Sequence, residues 1–188
     1  MTVENYLRSF QVLTEEEILK FRSLASTQNL NKGDFFAESG KVNRLVGFLN
    51  SGILRSFYMS STDEDITYCF RFTGGFCSAY SSFITGNPSV ETLQAITDVE
   101  LLCWTKDQLV QLEQESPNWT MILKLLTEYE YLELEKRVFM LQKEPAEKKY
   151  LDLMKYQPEL IKQIPLNYLA SYLGITQRHL SRIRKTVY

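Results

Sequence analysis

Histidine occurs once among the 188 residues, at His179, and cysteine three times, at Cys69, Cys77 and Cys103, with no CxxC spacing. A structural zinc, an iron–sulfur cluster or a histidine-ligated haem needs more ligands than this, so no metal and no cofactor is expected, and buried reduced thiols are the default. No stretch approaches about eighteen consecutive apolar residues, and the opening MTVENYLRSFQ lacks the basic-then-apolar pattern of a secretory signal. Both absences predict a cytoplasmic protein with no membrane partner. A lone His179 leaves no acid, base and nucleophile set worth naming, so an enzyme is not expected.

What is present is an ordinary globular composition, 44% apolar, in a chain long enough for one large or two small domains. The net charge of −2 conceals an asymmetry: residues 1–142 carry 12 Lys and Arg against 19 Asp and Glu, while residues 143–188 carry 9 against 4, a balance of −7 followed by +5. The last quarter is therefore the part suited to a polyanion, and the acidic body discourages a polyanion from binding elsewhere.

Within that basic quarter, Ile164 to Lys185 reads IPLNYLASYLGITQRHLSRIRK. Leu166, Leu169, Ala170 and Leu173 recur at helical spacing, Gly174 breaks the helix, and Ile175, Leu180 and Ile183 resume the apolar series. Gly174 tolerates the positive φ of a left-handed cap, Ile175 plugs the corner, and Thr176 is placed as the N-cap of the second helix. The pattern is that of a helix-turn-helix whose second helix points Gln177 and Arg178 outward, where Arg can bond guanine bidentately and Gln adenine. Periodicity alone also fits a helical hairpin that closes a core. Against that stand Arg178, Arg182, Arg184 and Lys185 in one short helix with no acid among them.

Upstream, Thr14 to Glu17 forms a capping box, with Leu13 and Ile18 as a hydrophobic staple, opening a helix to about Ser26. From Leu30 the apolar period changes to two. Strand-like segments at 45–50, 53–58, 66–72, 90–97 and 99–105 alternate with Gly-, Asn- and Asp-marked turns, the pattern of an antiparallel sandwich or barrel. The irregular insertion between Phe76 and Ser89 is long enough to line a pocket; its serines and the amides of a short helix suit an anion, and a Ser-rich connection serves equally as a connection.

Thr105-Lys106-Asp107 starts a short helix, and Ser116-Pro117 starts a long one to about Gln142. Ile122, Leu125, Tyr129, Leu132 and Phe139 fall on a seam near a 3.5-residue repeat, interrupted by Lys136. A helix of about 26 residues spans about 39 Å, more than the sheet body needs, and suggests self-association along the seam; packing on its own domain is the alternative. A further helical unit starts at Glu144-Pro145 and ends before Pro158. The divisions are 1–116, 117–142 and 143–188.

The turns Lys32-Gly33-Asp34 and Gly40, the strand pair LVGFLNSGILRSFY (Leu45 to Tyr58), the long helix and above all LASYLGITQRHLSRIRK (Leu169 to Lys185) resemble the Crp/Fnr family of bacterial transcription regulators over nearly the whole chain. The resemblance implies an α+β protein: an N-terminal antiparallel β-roll (a double-stranded β-helix, cupin-like jelly roll) with flanking helices as the effector or sensor domain, a long dimerisation helix, and an all-α helix-turn-helix domain. It implies a homodimer on palindromic double-stranded DNA, with RNA polymerase as a further partner. Gln177, Arg178 and Arg182 occupy the family's base-reading positions, Thr176, His179 and Ser181 its phosphate positions, and Lys185 extends the same DNA face. Arg178 departs from the frequent acidic residue there, which in the family reads cytosine, so the resemblance implies DNA binding without implying an operator sequence.

The effector pocket, Ser78, Ala79, Tyr80, Ser81, Ser89 and Val90, keeps less of the family pattern. The glycine and glutamate of the cyclic-nucleotide cassette fall on Ser78 and Ala79, and its phosphate-binding arginine on Ser89. Losing a charge-assisted bidentate pair disfavours cyclic AMP, which leaves an unknown small molecule or no effector. The redox and gas-sensing branches are disfavoured by the lack of an N-terminal cysteine cluster and of a histidine outside the reading helix. The sequence ends at Tyr188 with no evident β-hairpin wing, so fewer phosphate contacts are expected. The rival reading is a ligand-binding sensor or interaction module whose helix-turn-helix is vestigial.

Overall fold

A computed structural model describes residues 1–156 and 158–187. Its elements in chain order are α1 (Val3–Arg8), α2 (Glu15–Leu24), β1 (Ser26–Leu30), β2 (Phe35–Ala37), β3 (Leu45–Ser51), β4 (Ile53–Met59), β5 (Asp65–Phe72), β6 (Phe76–Cys77), α3 (Tyr80–Thr85), β7 (Thr92–Ala95), β8 (Val99–Thr105), α4 (Lys106–Glu115), α5 (Pro117–Lys143), α6 (Ala146–Tyr156), α7 (Pro158–Gln163), α8 (Leu166–Leu173) and α9 (Gln177–Val187). The strands make two four-stranded sheets, ordered β1-β8-β3-β6 and β2-β7-β4-β5, with antiparallel pairing wherever register is defined. This is a jelly-roll-like α+β architecture.

Two compact units divide the chain. The first comprises Met1–Tyr58 and Cys69–Thr127; the second comprises Met59–Tyr68 and the chain from Glu128 onward. The long helix α5 thus contributes its first part to one unit and its remainder to the other.

In the first unit, period-two alternation places side chains in two separate cores. Leu101 and Cys103 of β8 and Leu49 of β3 join Leu30, Phe36, Leu54, Leu93 and Val99 in one cluster, while Leu102, Trp104 and Phe48 point to the other face and pack with α1, α2 and α5. Both faces of β3 and β8 are covered, which explains their nearly continuous apolar runs. In the helical core Phe21 stacks on Trp104 at 4.1 Å and on Trp119 at 5.1 Å, and the Trp104 indole donates to the Phe21 carbonyl at 2.7 Å. Gly52, in the β3–β4 turn, has φ +90°, and a Cβ there would lie 2.2 Å from the Asp98 carbonyl oxygen, so only glycine fits.

The capping box at Thr14 is formed, its side chain accepting from the Glu17 amide while Glu17 accepts from the Thr14 amide. Elsewhere the elements depart from the sequence reading. Helix α1 precedes that box and buries Val3 and Leu7; β1, β2 and α7 lack a strong periodic signal. The strand expected at 90–97 is shorter, Thr92–Ala95. In the second unit, Tyr150, Leu153, Ile164, Leu169, Ala170, Leu173, Leu180 and Ile183 are buried, and the tip between β4 and β5 belongs to the same unit.

Candidate functional site

The corner between α8 and α9 is built by its backbone. Gly174 has φ +69°, its amide donates to the Ser171 carbonyl at 3.0 Å, and the Ile175 amide donates to the Ala170 carbonyl at 3.1 Å. That pair of bonds is the Schellman motif, which ends α8 abruptly and turns the chain. The Thr176 hydroxyl accepts from the His179 amide at 3.2 Å, which makes Thr176 the N-cap of α9.

Helix α9 is amphipathic. Leu180 and Ile183 are buried; Thr176, Gln177, Arg178, Arg182 and Lys185 are exposed, and His179, Ser181 and Arg184 are half-buried. Its polar face thus lines up Arg178, Arg182 and Lys185 with Ser181 at i, i+3 and i+4 spacings. No ion pair among the described residues engages Arg178, Arg182, Arg184 or Lys185. Such a surface presents uncompensated positive charge and multiple N–H donors on a rigid rod, which suits phosphate and base-edge acceptors.

The region between Ser78 and Val90 is arranged differently. Ser78 donates to the Leu45 carbonyl at 2.9 Å and accepts from the Asn43 amide nitrogen Nδ2 at 2.8 Å. Ser89 is buried; its hydroxyl donates to the Glu91 carbonyl at 2.8 Å and accepts from the Glu91 amide at 3.1 Å. Ser82, which sequence reasoning did not single out, accepts from the Asn43 backbone at 2.9 Å and donates to the Asn87 carbonyl at 2.5 Å. Lys106 Nζ caps the C-terminal carbonyls of α3, donating to Phe83 at 2.8 Å and Ile84 at 2.9 Å. Ala79 is fully buried, while Tyr80 and Ser81 are exposed and Val90 is 74% exposed. The six expected pocket residues are thus split between interior and surface, and the hydroxyls of Ser78 and Ser89 serve the chain's own backbone. The Tyr80 hydroxyl lies 3.3 Å from that of Thr127 on α5.

Along α5, Ile122 is 1% exposed and packs in the aromatic core of its own chain, so it is withdrawn from any interface with a second chain. Leu125 is half-buried, and Tyr129, Leu132 and Phe139 are exposed, Phe139 at 57%. A second exposed stripe, Tyr131, Leu134, Val138 and Leu141, runs along the opposite side of the helix. Arg137 was not singled out from sequence; its planar group lies 3.7 Å from the ring centre of Tyr172 in α8, and it donates to the Tyr172 carbonyl. The one available signal was that it is the only arginine in α5.

Of the cysteines, Cys77 and Cys103 are buried and Cys69 is half-buried, all three free. Burial pushes the Cys103 thiol up to about 11 and the Cys77 thiol higher still. Among the described residues no group of three or more His, Cys, Asp or Glu side chains could hold a metal ion, and no helix is long and apolar enough to cross a membrane.

Residues 27–116 match the cyclic nucleotide-binding domain family. No curated protein matches the sequence. Among solved structures, FixK2 from Bradyrhizobium japonicum superposes with a TM-score of 0.74 at 16% identity, over 87% of this chain and 84% of that one. CLP, a c-di-GMP responsive global regulator from Xanthomonas campestris, gives 0.74 at 17% identity, over 93% and 91%. A protein of Eubacterium rectale assigned to the crp/fnr family of transcriptional regulators gives 0.73 at 16% identity, over 97% and 87%. At these identities the likeness is one of fold.

Proposed function

We propose that this chain, which carries a cyclic nucleotide-binding domain and has the fold of the Crp/Fnr regulators, is a sequence-specific DNA-binding transcription regulator that acts as a homodimer. The observation that carries this reading is α9: four cations without an acid, none in an ion pair among the described residues, three of them (Arg178, Arg182 and Lys185) exposed on a helix whose apolar face is buried behind a Schellman corner. Gln177, Arg178 and Arg182 are the base readers, with Thr176, His179, Ser181 and Lys185 on phosphates. In this reading residues 1–116 are the sensor, 117–142 the dimer helix and 143–188 the DNA-binding domain. RNA polymerase is the further partner of a regulator of this type, and no catalytic role is assigned.

Self-association is supported by the exposed apolar surface of α5. A monomer would leave Tyr129, Leu132 and Phe139 in water on one face of a regular helix, and such a stripe is covered most simply by its own two-fold copy. The effector is a molecule other than cyclic AMP, or none, because the positions of the cassette's phosphate and ribose contacts hold Ser78, Ala79 and Ser89, and the two serines bond the chain's own backbone.

The test is a gel shift over a salt series with duplexes selected from a random pool. The parent protein selects a palindrome, and its affinity falls steeply with salt, while Arg178→Ala and Arg182→Ala each lose selection at their own base position. Unchanged selection by both variants overturns the assignment of readers. Tight binding of a small molecule without DNA binding at any salt would establish the rival, a sensor with a vestigial helix-turn-helix.

A further inference from the structure

The last turns of α5 do more than lead toward the reading corner. Arg137 stacks its planar group on the Tyr172 ring at 3.7 Å and donates to the carbonyl of that same residue, two positions before Gly174. One turn further along α5, a Cδ2 of Leu141 lies 3.5 Å from where a Cβ on Gly174 would stand. The Leu141 carbonyl in turn accepts from Nζ of Lys149, a buried lysine of α6, at 3.1 Å. All of these residues belong to the second compact unit. A guanidinium held both by a ring face and by a carbonyl is fixed in two independent directions, which a point contact between two helices is not.

We infer that Arg137 is a positioning residue for operator recognition: by clamping α8 to the end of the dimer helix, it sets the distance and rotation between the two recognition helices and so the half-site spacing that the dimer accepts. The inference rests on the proposed DNA-binding homodimer. In such a dimer α5 is the element common to both halves, and every degree of freedom between α5 and α8 blurs the placement of α9. Half-sites lie about one helical turn apart, and each inserted base pair moves one of them by about 3.4 Å and rotates it by about 35°. A clamp at Tyr172 resists both displacements. Without it the two reading helices would each bind a half-site, but over a range of separations.

The experiment varies the spacer of the selected palindrome by one and two base pairs and compares the parent with Arg137→Ala and Arg137→Gln. The parent shows one sharp optimum, losing about tenfold or more in affinity per base pair of error. Both variants keep the same preferred half-site bases but flatten the optimum to within about threefold. A sharp optimum retained by both variants overturns the inference while leaving the DNA-binding reading intact, and failure of the parent to select any palindrome overturns the DNA-binding reading instead.

An independent measurement decides the clamp without DNA. Spin labels at Glu133→Cys and Thr186→Cys, in a Cys69→Ser background diluted with unlabelled chain, report the separation of α5 from α9 by dipolar spectroscopy. The parent gives a narrow distance distribution that Arg137→Ala broadens, with unchanged circular dichroism. A distribution equally wide in both proteins overturns the inference.

Discussion

Two polar regions of this molecule, the Ser-rich connection around α3 and the basic helix α9, look equally able to bind something when they are read as strings of residues. Their bonding differs. Around α3, Asn43 and the hydroxyls of Ser78, Ser82 and Ser89 close on one another and on backbone groups of the same unit, and Lys106 closes the end of the helix. On α9, Arg178, Arg182, Arg184 and Lys185 are in no ion pair among the described residues. Polar groups already satisfied inside a fold are part of its construction, whereas cations held outward on a rigid helix are available to an external acceptor.

The sharpest way to break this contrast is to remove the outward cations. An Arg178→Ala/Arg182→Ala double variant should lose about 2–6 kcal/mol of operator affinity, at about 1–3 kcal/mol for each bidentate contact, with an unaltered melting temperature; fluorescence anisotropy and a thermal scan give the two readings. Next in size is a reactivity difference inside the sandwich. Cys103 is 2% exposed and its thiol is pushed up to about 11 by burial, so restricted access and scarce thiolate together should slow alkylation at pH 8 by about a hundredfold or more relative to a free cysteine. Mass spectrometry after timed alkylation of the native and unfolded chain checks this.

Asn43→Ala sharpens the other side of the comparison. It removes the Nδ2 bonds to Ser78 and to the Leu45 carbonyl in a buried setting, so it should cost about 1–3 kcal/mol of stability by denaturant titration and leave operator selection unchanged. Thr176→Ala, which loses the cap bond to His179, should cost about 1 kcal/mol and weaken DNA binding by a comparable amount through fraying of the first turn of α9. The smallest effect is an expected zero: millimolar cyclic AMP should not shift the melting temperature, because a ligand stabilises the folded state by RT ln(1 + [L]/Kd), which vanishes when Kd lies far above the ligand concentration. A shift of several degrees would show that the interior can still be opened by a nucleotide.

These regions were not equally legible in the sequence. The corner between α8 and α9 is a local object: Gly174 at the left-handed position, Thr176 as N-cap and the spacing of Leu169, Leu173, Leu180 and Ile183 depend on residues a few places apart, and the structure forms them as read. The connection around α3 depends on Asn43, which lies 39 residues before Ser82 and 35 before Ser78, and no pattern of spacing announces such a partner. Helix α1 is not legible in the sequence for a related reason. Its six residues are too few to display a helical period, and burial of Val3 and Leu7 in the core that also contains Trp104 and Phe48 holds it in place. Ile122 keeps the right spacing for the seam, yet it is claimed by the core of its own unit before a partner could reach it.

By itself the sequence determined the periodicities, caps and turns, the basic bias of the last quarter, and the identity of the side chains on the exposed face of α9, because each is set by neighbours along the chain. Only tertiary structure decided which serines bond inward, which residues of α5 remain on the surface, and that Arg137 lies on Tyr172. These follow from contacts between residues distant in sequence, and such contacts are settled by competition for space and hydrogen bonds across the whole fold.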